Sequence, residues 1–150
     1  VIQQKVEKML EKDINEPSCS PWASPVVLIR KKDGMWCFCV DYWHPSKIMK
    51  KDIYLLSRID DALNCLYDAT YFSTIDLRLG YWQIAVDEMD CEKTAFVTLD
   101  GFYHFKVMPF SPCNAPATVE RMIDSLLQGF KWSTCLCYLD NVIIFSPTFD

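Results

Sequence analysis

Leu136-Cys137-Tyr138-Leu139-Asp140-Asn141-Val142-Ile143-Ile144-Phe145 sets one carboxylate and one carboxamide between two apolar runs, each short enough to be a buried strand. Asp and Asn at that junction suit a tight hairpin turn, because both tolerate left-handed backbone angles. A carboxylate there is expected at the rim of a sheet, held rigidly and partly desolvated. Hydrolytic and polymerising enzymes place metal-binding Asp residues on such elements. The plainer reading is that Asp-Asn is simply good turn chemistry, and this segment alone does not separate the two.

A second segment does. In Tyr71-Phe72-Ser73-Thr74-Ile75-Asp76-Leu77 another β-rich run delivers an Asp at its end, and Gly80 then breaks the strand. Two strands ending in carboxylates can converge on one divalent cation, since Mg²⁺ takes hard oxygen ligands and usually only one or two from protein. With a nucleotide supplying further oxygens, the chemistry is phosphoryl transfer at two metals roughly 3.5–4 Å apart.

Composition bounds the rest. The chain has 150 residues, 51% hydrophobic and 23% charged, which suits one globular domain with a sizeable core. It starts at Val1 and stops within Ser146-Pro147-Thr148-Phe149-Asp150, so a piece of a larger polypeptide is expected. No signal peptide and no apolar run of membrane-spanning length is visible. The net charge of −5 divides unevenly: residues 1–51 carry 9 Lys/Arg against 6 Asp/Glu, and the remainder carries 6 against 14. A basic first third suits phosphate binding and an acidic remainder suits divalent metal, although uneven surface charge alone would look the same.

The eight cysteines include two pairs spaced by two, Cys37/Cys39 and Cys135/Cys137, which on strands share a face. No C-x-x-C knuckle with His partners accompanies them, so a structural zinc site is not expected. They read as reduced, mostly buried thiols of an intracellular protein. His44 and His104 read as surface or loop residues.

Along the chain, Ile2, Val6, Met9 and Leu10 predict a helix over 1–12, and residues 13–24 read as extended. Strands over 26–30 and 35–42 are joined by Lys32-Asp33-Gly34, a hairpin signal. Residues 43–56 read as loop. Ser57-Arg58-Ile59-Asp60 resembles a capping pattern before an amphipathic helix on Ile59, Ala62, Leu63 and Leu66. A strand over 82–86, an acidic loop over 87–92 and a hairpin around Asp100-Gly101 follow. Asn114 is a plausible N-cap with Pro116 in the first turn. Val119, Met122, Ile123, Leu126 and Leu127 form an apolar stripe stopped by Gly129. The pattern predicts an α+β fold, with helices on one face of an antiparallel sheet.

The order of segments resembles the reverse transcriptase of gypsy-type LTR retrotransposons, and less closely the retroviral enzymes. The matching pieces are 20–27 (Ser-Pro-Trp-Ala-Ser-Pro-Val-Val), 31–34 (Lys-Lys-Asp-Gly), 38–42 (Phe-Cys-Val-Asp-Tyr), 72–77, 80–84 (Gly-Tyr-Trp-Gln-Ile), 92–96 (Glu-Lys-Thr-Ala-Phe), 113–118 (Cys-Asn-Ala-Pro-Ala-Thr) and 138–140 (Tyr-Leu-Asp). The resemblance implies right-hand polymerase fingers, mainly over 1–57, and palm, mainly over 58–150 with returning fingers elements. Thumb, connection and RNase H parts would lie outside this stretch. It implies two-metal transfer of dNTPs to a primer 3′-hydroxyl, with Mg²⁺ as cofactor or Mn²⁺ in its place. Asp76 and Asp140 are the implied catalytic and metal-binding residues, and Asn141 falls where the family has a second Asp. Lys31, Lys32, Leu77, Tyr81 and Phe110 are implied for the nucleotide, with Tyr81 crowding a 2′-hydroxyl. Without the family, Tyr81 reads equally well as a core tyrosine and the lysines as a solvated run. Tyr138 and Leu139 are implied for template and primer. Implied partners are an RNA or DNA template with primer, dNTP and the rest of a Pol polyprotein, without a membrane. The implied location is cytoplasmic, in a virus-like particle.

The chain departs from the family pattern in four places. Asn141 removes a negative charge, Cys37 stands for a phosphate-contacting Arg, Trp43-His44-Pro45-Ser46 replaces Arg-Arg-Leu-Asn, and Ser111-Pro112 replaces Gly-Leu. Together they suggest an impaired copy, or a non-catalytic descendant that keeps the fold and nucleic-acid binding. A related palm polymerase making RNA is the third reading; Tyr81 argues against it.

Overall fold

The computed structural model describes the chain apart from residues 53, 55–57, 78, 79, 139, 140 and 150, and describes 59 and 138 through their backbone. Its backbone divides into two compact units, each made of two chain segments: Val1–Lys51 with Tyr81–Ala115, and Asp52–Gly80 with Pro116–Asp150.

The first unit is built on α1 (Ile2–Glu11), β1 (Asn15–Pro17), β2 (Ser24–Arg30) and β3 (Trp36–Val40). Its second segment adds β5 (Phe96–Val97) and β6 (Phe102–Phe105), giving a five-stranded sheet in the order β1-β6-β5-β2-β3. The β2–β5 pair is parallel and the others are antiparallel. The stripe that predicted α1 buries Val6 and Met9 against Ile14, Val40, Tyr42, Phe96 and Phe105. Tyr42 Oη donates to the Thr94 carbonyl at 2.7 Å, and burial pushes that phenol well above its usual range. At the β2–β3 tip Gly34 takes φ +82°, a left-handed turn conformation that glycine adopts without a Cβ clash.

The second unit contains α3 (Ile59–Leu66), α5 (Ala115–Leu126, which starts at the first unit's last residue) and a three-stranded antiparallel sheet, β4-β8-β7. These strands are β4 (Tyr71–Asp76), β7 (Cys135–Tyr138) and β8 (Asn141–Ser146). Val119 and Ile123 are buried as the stripe predicted, together with Leu136, Val142 and Phe145, while Leu126 is 71% exposed. Gly129 takes φ +92° in the turn after α5.

Several expectations are corrected. Residues 43–48 are helical (α2, Trp43–Ile48): the Asp41 side chain accepts from the Trp43 N–H at 2.9 Å and starts the turn, and Pro45 sits where a missing N–H costs little. The expected strand over 82–86 is a 3₁₀ turn (Gly80–Gln83), followed by a single bridge from Ala85 to Val107. The acidic loop contains α4 (Glu88–Cys91), because Asp87 caps it by accepting from the Met89 N–H. Arg58, not Ser57, is the N-cap of α3, and no side chain caps that end; Ser57 lies outside the described residues. His104 is on β6, hydrogen-bonded to Ser18 Oγ and Glu16 Oε1 at 2.9 Å each. All eight cysteines are free thiols, but only Cys135 and Cys137 are buried.

Candidate active site

In the second unit the sheet register decides the geometry. The β4 strand pairs with β8 so that Asp76 stands directly opposite Asn141, and β7 pairs with β8 so that Tyr138 also stands opposite Asn141. Asn141 therefore opens a strand instead of occupying the expected turn. Leu139, expected at the template and primer, and Asp140, expected at the metal, lie outside the described residues, as does the Tyr138 side chain. Side chains opposite one another in such a ladder leave their Cβ atoms about 4.5–5.5 Å apart. The sheet thus brings together Asp76 and Asn141.

Both are exposed, so the partial desolvation expected for a rim carboxylate is not found at Asp76. The reason is topological: β4 is an edge strand and every one of its residues is exposed. A carboxylate and a carboxamide oxygen facing solvent on adjacent strands are hard donors, and that set fits a divalent cation that keeps several of its waters. Leu77 follows β4 half-buried, and its carbonyl accepts from the Gly80 N–H at 3.2 Å.

In the first unit the 3₁₀ turn presents Tyr81 to Phe110, with ring centroids 5.0 Å apart. Two residues implied for the nucleotide, 29 positions apart in sequence, therefore touch. Phe110 keeps half its surface exposed and also meets Trp82, at 5.6 Å. Trp82 falls in this turn and not in the expected strand, so its contact with Phe110 had no signal in the strand pattern. Lys31 and Lys32 are exposed at the β2–β3 hairpin tip, where the Lys31 carbonyl accepts from Gly34.

Sequence reasoning also missed Glu120, which is 1% exposed on α5 between Val119 and Ile123. The Lys131 ammonium lies 3.9 Å from it and also pairs with Asp124, whose other oxygen accepts from Tyr54 Oη. Arg121, from the same helix, pairs with Asp52 and lies over the Tyr54 ring. This is an ionic network that fixes α5, and the amphipathic stripe gave no sign of it.

A family model described as reverse transcriptase (RNA-dependent DNA polymerase) matches residues 3–150. The chain is 36% identical over 154 residues to the retrovirus-related Pol polyprotein from transposon opus of Drosophila melanogaster, covering 99% of this chain and 15% of that protein. It is 36% identical over 108 residues to an RNA-directed DNA polymerase homolog of Oenothera berteroana, covering 72% of this chain and 76% of that one. The chain spans only 12–15% of the length of three Drosophila Pol polyproteins that it matches. Among solved structures, the prototype foamy virus protease-reverse transcriptase superposes with TM-score 0.82 at 21% identity, over 97% of this chain and 19% of that one. The foamy viral enzyme in complex with RNA/DNA hybrid superposes with TM-score 0.78 at 22% identity, over 99% of this chain and 20% of that one. These likenesses carry the fold: the α+β fingers and palm of a right-hand polymerase. Among the described residues no helix is long and apolar enough to cross a membrane.

Proposed function

This chain belongs to the reverse transcriptase (RNA-dependent DNA polymerase) family, and from that premise we propose that it is the fingers and palm segment of an RNA-directed DNA polymerase within a retrotransposon Pol polyprotein. In this reading the first unit supplies the fingers and the second the palm, and the segment works on a template–primer duplex and dNTPs inside a cytoplasmic virus-like particle. The register of Asp76 opposite Asn141 is the observation that carries it. Reverse transcriptases as a family use divalent metal ions. Asp76, Asp140 and the Asn141 oxygen would hold Mg²⁺ here. When bound, the metal makes the primer 3′-hydroxyl more acidic and neutralises charge on the departing pyrophosphate.

The chain's own residues do the positioning. Fixed at a strand end, Asp76 offers its carboxylate without rearrangement. The Tyr81 ring, backed by Phe110, presents a flat wall that crowds a ribose 2′-hydroxyl. Lys31 and Lys32 draw in the triphosphate as exposed point charges.

Asn141 and Cys37 favour an impaired copy, or a descendant that binds nucleic acid without extending primers. Asn141 keeps an oxygen but brings no charge to the metals, and the Cys37 thiol has no guanidinium fork for phosphate. Primer extension on an RNA template with dNTPs and Mg²⁺ tests the reading. The chain is grafted onto a complete family polymerase body and compared with the same graft carrying Asn141→Asp. Extension by the revertant alone makes the lost carboxylate the defect. Silence from both, in folded grafts, overturns the enzymatic reading.

A further inference from the structure

Cys37 and Cys39 are two apart on β3, so their side chains share one face of the strand. That face is not the core face: Phe38 packs towards the core from the opposite side, and Val40 is buried there. The register partners of the two cysteines on β2, Ile29 and Val27, are 54% and 43% exposed. The β3 strand is also the outer edge of its sheet, so one flank is open. Within this face the Cys39 thiol donates to the Cys37 sulfur, with the two sulfurs 3.6 Å apart.

That separation selects a ligand class. Taking the zinc–thiolate length of about 2.3 Å as the lower guide, a near-tetrahedral angle puts two sulfurs about 3.8 Å apart, whereas a linear arrangement would need about 4.6 Å. A disulfide is disfavoured by the backbone. Two residues along a strand, Cα atoms lie about 6.6 Å apart, at the far end of the disulfide range.

We propose that Cys37 and Cys39 form a bidentate dithiol site for one soft, thiophilic centre with a bent S–X–S angle, of the class of Cd²⁺ or a trivalent arsenical. Sulfur donors favour such soft centres over the hard Mg²⁺ of the polymerase reading, so the two sites take different ions. Binding a divalent cation releases the two thiol protons as two metal–sulfur bonds form. With phenylarsine oxide, two As–S bonds replace the arsenic–oxygen bond, and the oxygen leaves with both protons as water. No oxidant or reductant is needed. Burial and the Cys37 hydrogen bond push the Cys39 thiol up, and the Lys31 ammonium partly offsets this.

The pair Cys135 and Cys137 is an internal comparison. It has the same spacing on β7, but its residues are 5% and 3% exposed and closed to a bulky reagent. The test treats the native chain with one equivalent of phenylarsine oxide, followed by intact mass and peptide mapping, and titrates Cd²⁺ by its thiolate charge-transfer absorption. One adduct linking Cys37 and Cys39 is expected. Cys37→Ser and Cys39→Ser should each weaken binding at least tenfold, while Cys19→Ser and Cys113→Ser leave it unchanged. Circular dichroism of each variant separates lost binding from lost fold. An adduct mapped elsewhere, no adduct in the folded native chain, or undiminished binding in a folded Cys37→Ser variant overturns the proposal.

Discussion

Asp76 on β4 and Asn141 on β8 face each other across an antiparallel ladder. Restoring a charge at 141 should act on the metal. Asn141→Asp is expected to lower the Mg²⁺ concentration for half-maximal primer extension by roughly tenfold, the scale of one charge-assisted contact. A metal titration of the grafted enzyme checks this, and an unchanged midpoint contradicts it.

Because Asp76 is exposed, chemistry and folding separate cleanly there. Asp76→Asn should change stability by no more than about 0.5 kcal/mol, yet reduce extension by at least about a hundredfold if it holds metal. Urea melts beside single-turnover extension give both numbers. A large stability loss would mean that the residue is structural.

Tyr81 rests on Phe110 at 5.0 Å, so its ring is supported from a second chain segment. Tyr81→Ala should raise ribonucleotide incorporation relative to deoxyribonucleotide by about 10–200-fold, the usual scale of pocket discrimination. Phe110→Ala should do the same more weakly, by loosening the Tyr81 ring. Competition between rATP and dATP on one template measures both.

Lys131 pairs with Asp124 and lies close to the buried Glu120. Lys131→Met removes the cation shared by Asp124 and the buried Glu120, at a cost of about 3 kcal/mol. Adding Glu120→Gln should recover much of that loss, and a double-mutant cycle by chemical denaturation measures the coupling.

For Tyr42, burial raises the folded-state pKa above its ordinary 10.0. Above about pH 10 the unfolded phenol releases its proton while the folded one keeps it, so the folded state binds more protons and stability falls as pH rises. Tyr42→Phe should cost about 1 kcal/mol near neutrality, through the lost bond to Thr94, and should flatten the alkaline loss. Denaturation curves between pH 8 and 11 check both signs.

What could be read in advance followed local pattern. The period of Val6 and Met9 predicted α1, and Lys32-Asp33-Gly34 predicted the β2–β3 turn. The β-rich run before Asp76 placed that carboxylate at a strand end. Cross-strand register is a non-local quantity, so no pattern within either strand could have paired Asp76 with Asn141. Pro45 concealed α2 because a proline reads as a helix breaker except in a first turn. Glu120 stayed hidden because a charged residue inside an apolar stripe ordinarily faces water, and the contacts around it, Lys131 eleven positions away among them, are tertiary. The cysteine pairs were legible as sharing faces, but which pair meets solvent depended on which sheet edge each strand occupies.

The strand order β1-β6-β5-β2-β3 sets a timetable for synthesis. Asn15 must wait for Phe105 and Ser24 for Phe96 before their ladders can form. On a ribosome adding about 5–20 residues per second, the amino-terminal strands spend several seconds with open edges. Such edges invite pairing with another nascent chain. A chain cut within this interval separates strands that share one sheet, so the unit cannot be released by cutting the chain once.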